Sequence, residues 1–172
     1  MKHAICGALF LVVACALPNA HTQEPDSDES LIGLLGLRGV TVYVEEPDSM
    51  LIDHGITTSV LQTPVELRLR QNEIPVLNQG DEGSATGNPV LYVAVSGILN
   101  EEMHQYAYQI QMELTQTVLL ERDSAVSVAD ATTWRTGGVA LSGPQWRDSL
   151  LEDLDFFTEK FINAYWRVNG DE

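Results

Sequence analysis

Apolar and polar residues alternate most clearly in the middle of the chain. From Tyr106 to Leu120 every second residue is apolar, and only Gln116 interrupts that side. A period of two predicts a long strand with one face on the core and the other exposed to water or to a partner. We interpret the polar side of this strand as a candidate partner surface, which comprises Gln109, Gln111, Glu113, Thr115 and Thr117.

Four other segments also have strand patterns. They are Val40–Val44, Ile74–Leu77, Val90–Val95 and a run from Val126 to Thr136 that resumes at Val139–Leu141 after a break at Gly137 and Gly138. Pro75 has no N–H to donate, so the second of these segments is expected at a sheet edge.

Two helices are expected. For the first, Thr63 to Glu66 matches a capping box, and an earlier start at Thr57 or Thr58 would place Pro64 inside the helix. The second helix is expected from Pro144 to Asn169, with Ser142 or Gly143 as its cap. Its apolar stripe recurs every three to four residues, which is typical of a helix packed on a sheet.

With the short edge segment Ile74–Leu77 left out of the count, the element order is β-α-β-β-β-α. This order predicts an α+β fold, a two-layer sandwich with both helices on one face of a mixed sheet that contains an antiparallel meander.

The chain divides into three regions. Residues 1–20 read as a signal peptide, with Lys2 before an apolar core, and residues 37–172 as a single folded domain. Residues 21–36 are expected to form an acidic, disordered linker. The signal allows two forms, since Cys15 could be the lipidated residue of a lipobox, whereas cleavage after Ala16 or Ala20 would release a soluble protein. We expect an exported protein in the periplasm or outside the cell.

Charge and cysteine content narrow the choice of partners. Removing residues 1–20 takes away Lys2 and no carboxylate, which changes the formal net charge from −16 to −17. Nucleic acid is a poor partner for a protein with this negative charge. Membrane attachment is expected only through a lipid on Cys15. The other cysteine, Cys6, lies in the signal, so no internal disulfide is expected.

Catalytic signatures are sparse. The sequence contains no G-x-S-x-G or S-x-x-K motif and no H-x-x-x-H pair, and we expect no cofactor. His54 follows Asp53, and His104 follows Glu101 and Glu102. The two histidines would form a carboxylate-rich site only if their turns met in space.

Four strings resemble a group of small secreted bacterial proteins of unassigned function. They are Val65 to Arg70 followed by Ile74 to Leu77, Ala131 to Trp134, and Phe161 to Tyr165. The element order is also similar to the periplasmic α/β modules of the TolB amino-terminal domain and of curli-secretion lipoproteins, which serve as assembly or binding parts. Neither resemblance supplies catalytic residues.

We therefore expect a non-enzymatic binding or assembly module of the periplasm or envelope, with an envelope protein as its partner. The alternative is a hydrolase or a metal-dependent enzyme that uses His54, His104 and nearby carboxylates.

Overall fold

The computed structural model describes residues 31–78, 86–100 and 105–170, except for the side chains of residues 99 and 100. The predicted signal and the first ten linker residues, 21–30, lie outside the described residues. Over these residues the chain adopts an α+β fold with four strands and three helices. The strands are β1 (Thr41–Val44), β2 (Val90–Asn100), β3 (Gln105–Leu120) and β4 (Asp123–Ser142). The helices are α1 (Ser49–Asp53), α2 (Thr58–Gln71) and α3 (Trp146–Asn169).

The sheet is mixed, with the strand order β1-β2-β3-β4. β1 and β2 are parallel, and β2, β3 and β4 pair antiparallel in sequence order. The connection between the two parallel strands carries α1 and α2, which agrees with the rule that parallel neighbours need a crossover. The mixed sheet expected from the sequence is confirmed.

The expected strand at Ile74–Leu77 is reduced to one isolated parallel bridge between Val40 and Val76. Val40 N donates to the Pro75 carbonyl at 3.0 Å, and Leu77 N donates to the Val40 carbonyl at 2.9 Å. Pro75 can accept but not donate, which limits the ladder. The predicted element order is also wrong in lacking the short helix α1, which Asp48 caps by accepting a hydrogen bond from Leu51 N at 3.0 Å.

Helix α2 takes the earlier of the two starts that the sequence allows. Thr57 is its N-cap, with a side chain that accepts a hydrogen bond from Val60 N at 3.4 Å, and Pro64 lies inside the helix. The capping box at Thr63 is therefore not used. Glu66 instead contacts side chains one turn away on either side, Gln62 and Arg70, at 2.6 and 2.8 Å.

Helix α3 packs against β3, β4 and α2. It begins at Trp146 after Gln145, so the expected caps Ser142 and Gly143 are wrong. The ring of Phe161 meets Trp134 of β4 edge to face, with the centroids 5.2 Å apart, and both side chains are buried. This contact joins the centre of α3 to the sheet.

Strand β4 continues through Gly137 and Gly138, where the sequence pattern predicted a break. A Cβ on Gly137 would collide with the carbonyl oxygen of Ile110 on β3, so the glycine permits close pairing instead of ending it. The irregularities of the hairpin lie elsewhere, because its register shifts fall at and beyond Leu114.

The folded part of the chain starts earlier than residue 37. Leu31 and Leu34 are buried in the core, in a turn over residues 31–36 that the sequence assigned to the linker. Gln116 holds this turn by donating from Nε2 to the Gly33 carbonyl and to Thr133 Oγ1, both at 2.7 Å. The predicted boundary is corrected because two leucines three residues apart present one apolar side of a turn to the core.

Candidate functional site

Five polar side chains lie side by side on one face of β3. We call Gln109, Gln111, Glu113, Thr115 and Thr117 the β3 polar row. The residues between them on the opposite face, Ile110, Met112 and Leu114, are fully buried. Within the row, Gln109 and Thr117 are exposed and the other three are half-buried. The predicted alternation therefore brings all five residues to one surface.

Sheet register extends this surface across all four strands. Tyr43 pairs with Tyr92, Tyr92 with Glu113, and Glu113 with Arg135. Because directly paired residues share a sheet face, these four side chains form a line at right angles to the β3 polar row. The two tyrosine rings stack with centroids 5.8 Å apart and an interplanar angle of 15°.

Hydrogen bonds hold the acidic groups of this surface in place. Glu113 accepts from Gln111 Nε2 at 2.8 Å and from Thr132 Oγ1 at 3.2 Å. Tyr92 donates its hydroxyl proton to Glu45. The hydrogen bond to Glu45, together with burial and the negative charge of Glu45, raises the pKa of Tyr92 to about 12.

An open depression of about 270 Å³ lies between the β3 polar row and β4. Its polar lining includes Gln109, Gln111, Glu113 and Arg135, and Gly137 adds no side chain to the wall. The guanidinium of Arg135 has no hydrogen-bond or ion-pair partner among the described residues. The depression thus offers amide donors and acceptors, a carboxylate and one cationic group to a polar ligand or an extended peptide.

Of the two histidines considered from the sequence as parts of a catalytic or metal site, only His54 lies within the described residues. His54 Nδ1 lies 2.8 Å from the Met50 carbonyl, and its ring meets Trp146 and Tyr106 edge to face at 5.7 and 6.4 Å. His104, Glu101 and Glu102 lie outside the described residues. Within the described ranges, no three His, Cys, Asp or Glu residues come together as metal ligands. His54 is thus a member of an aromatic cluster with Tyr106 and Trp146.

Sequence reasoning missed the contributions of the neighbouring strands to the surface. Tyr43 and Tyr92 each lie between two buried aliphatic residues, so alternation within each strand was a usable signal for their orientation. Arg135 had no such signal, because its position beside Glu113 depends on the register between β3 and β4.

No helix in the described part of the chain is both long and apolar enough to cross a membrane. Cys15, the expected lipidation site, is not among the described residues. Neither the protein-family models nor the curated proteins include a match to this sequence. The resemblances drawn from short sequence strings therefore stay predictions.

Proposed function

We propose that this protein is an exported, non-enzymatic binding or assembly module of the cell envelope, and that its partner docks on the β3 polar row. The observation that carries the proposal is the surface formed by this row, the depression beside it and Arg135, whose guanidinium has no partner among the described residues. Export is supported by the signal-like pattern of residues 1–20.

A two-layer arrangement with the helices on one sheet face would leave this surface free. Its support is the contact pattern, in which α3 packs against β3 and β4, α2 against β1, and α1 against β2. The strand residues facing these helices are apolar and buried, for example Val93 and Ile110. On the other side, Gln111 and Glu113 remain partly accessible, as expected for a sheet with one solvated face.

The chemistry of the surface favours a neutral or mildly acidic protein segment over a strongly charged ligand. It offers two carboxylates that are already hydrogen-bonded, Glu113 and Glu45, and one guanidinium, Arg135, that has no partner among the described residues. The acidic charge of the whole chain disfavours nucleic acid. Gln109 and Gln111 carry both donors and acceptors, which suit the backbone of an extended peptide.

The test is a paired substitution in the β3 polar row, Gln111→Arg with Thr115→Arg. Both side chains are half-buried on the proposed surface, so the added guanidinium groups should abolish capture of the partner from cross-linked envelope extracts. The matched control is Thr63→Arg with Asn163→Arg, which makes the same change in charge at exposed positions on α2 and α3.

The readout is quantitative mass spectrometry of the captured proteins, with circular dichroism to establish that both variants fold. We expect one stoichiometric partner with the wild type and the control, and its loss with the paired variant. Capture of the same partner at unchanged affinity would remove this surface from consideration. Recovery of no stoichiometric partner by the wild type would contradict the binding-module proposal itself.

A further inference from the structure

The outer edge of β4 is a second candidate surface. β4 is the last strand of the sheet, and within the described residues its backbone pairs only with β3. From Trp134 to Ser142 this pairing runs without a register shift, so the opposite edge of the segment is a regular, open ladder. The segment contains no proline or lysine and only one charged residue, Arg135, so it lacks the usual features that prevent edge pairing.

Two large apolar side chains lie beside this edge on the face of the β3 polar row. Val139 and Leu141 pair with Gln109 and Ala107 of β3, and they are 65% and 77% exposed. Gly137 precedes Val139 on the same face and has no side chain. This end of β4 therefore carries two projecting apolar side chains at alternate positions, and the alternate position before them has no side chain.

We propose that a second copy of this chain pairs with β4, edge to edge and antiparallel, about a two-fold axis that passes between the two copies of Gly138. In this register Val139 lies beside the partner's Gly137, and Leu141 lies beside the aliphatic stem of the partner's Arg135. Directly opposed side chains have Cβ atoms about 4.5–5.5 Å apart, which brings each apolar side chain into contact with its neighbour. The interface is isologous, so each contact occurs twice, and the two sheets become one.

Charge distribution favours this edge for self-association. Residues 131–142 contain no aspartate or glutamate, although the chain has 25 acidic residues and a formal net charge of −16. Pairing along this segment therefore places no carboxylate of one copy opposite a carboxylate of the other. The two negatively charged protomers still repel each other, so added salt should strengthen the dimer by screening this repulsion.

The proposed dimer edge shares Arg135, Gly137 and Val139 with the lining of the depression beside the β3 polar row, so self-association is tested by the oligomeric state of the protein alone and not by capture of an envelope partner. Sedimentation velocity of the full exported protein over a concentration and salt series tests it. We expect a monomer–dimer equilibrium for the wild type that shifts toward the dimer as salt is raised. Val139→Lys with Leu141→Lys should leave the protein monomeric at every concentration, since it adds two charges at the centre of the interface.

The control variant changes equally exposed apolar residues elsewhere. Ile32→Lys with Leu35→Lys alters two side chains that are 69% and 67% exposed, adds the same charge and leaves β4 intact. This variant should dimerise like the wild type. A wild type that stays monomeric throughout, or equal dimerisation of both lysine variants, would overturn the proposal.

Disulfide trapping tests the register. Arg135→Cys with Leu141→Cys, in a chain that also carries Cys15→Ser, places the two thiols about 20 Å apart along one strand, beyond the reach of an intramolecular disulfide. Across the proposed interface each thiol faces the other type, so oxidation should yield a covalent dimer. Neither single cysteine variant should form one, because each thiol is then far from its own copy. Absence of the covalent dimer in the double variant would overturn the proposed pairing.

Discussion

Gln116 Nε2 donates a 2.7 Å hydrogen bond to the carbonyl oxygen of Gly33, a residue 83 positions earlier in the chain. The same nitrogen contacts Thr133 Oγ1 on β4, also at 2.7 Å. The one polar residue that interrupts the apolar side of β3 therefore joins the first described turn to the hairpin of β3 and β4. Its amide satisfies groups at the margin of the core that an apolar side chain would leave unpaired.

We expect Gln116→Ala to loosen the turn over residues 31–36. Loss of both hydrogen bonds should lower the free energy of unfolding by about 1–2 kcal/mol, because a partly buried carbonyl loses its partner. Hydrogen exchange of the Leu34 and Leu37 amides, which bond within this turn, should accelerate. Gln109→Ala, on the exposed face of the same strand, is the control and should leave both amides unchanged. Unaltered exchange in Gln116→Ala would show that the leucines alone hold the turn.

Phe161 is expected to be the main contact between α3 and the core. Its side chain is fully buried and meets Trp134, so Phe161→Ala should lower the free energy of unfolding by about 3–5 kcal/mol through lost burial and the cavity left behind. Denaturant unfolding measures this change.

The control for this prediction lies on the same helix. Phe156 is 51% exposed, so Phe156→Ala should cost under about 1 kcal/mol. Equal losses in the two variants would contradict the burial pattern of α3.

Tyr92 should make stability depend on alkaline pH. Its pKa is raised to about 12 in the folded protein, mainly by the hydrogen bond to Glu45, whereas an unfolded tyrosine titrates near about 10. A raised folded pKa means that the stabilisation is complete below the unfolded pKa and is lost as pH rises through the folded value. We therefore expect wild type to exceed Tyr92→Phe in stability at pH 8, with the difference declining between about pH 10 and 12.

Unfolding of the two proteins across this range tests the prediction, with tyrosinate absorbance to follow ionisation. Tyr43→Phe is the control, because it keeps the Tyr92 hydroxyl and its partner while removing a neighbouring phenol. A stability difference that does not change with pH would show that Tyr92 and Glu45 are not coupled in solution.

Export is tested on the native protein. We expect mass spectrometry of the purified mature chain to show that residues 1–20 have been cut, with the mass separating a diacylated or triacylated Cys15 from a free amino terminus. Cys15→Ser should remove the lipid if the lipobox is used and should leave the mass of the mature chain unchanged if cleavage follows Ala16 or Ala20, because residue 15 is then removed with the signal. A soluble cytoplasmic protein that keeps Met1 to Ala20 would contradict export.

The sequence by itself determined the elements whose signal is local. The alternation from Tyr106 to Leu120 predicted both the long strand β3 and the common face of Gln109 to Thr117, because a strand repeats every two residues whatever it pairs with. The apolar stripe of α3 was equally readable, since a helix repeats every 3.6 residues. The mixed sheet followed from the order of these elements.

Tertiary structure decided whatever depends on distant partners. The spacing of Leu31 and Leu34 permits one apolar side of a turn, but their burial required the hairpin surface around Gln116, which the local sequence does not specify. Packing also decided between the two starts of α2 and kept Pro64 inside the helix. The line from Tyr43 to Arg135 exists only through the register of four strands, and that register is set by pairing across long stretches of chain.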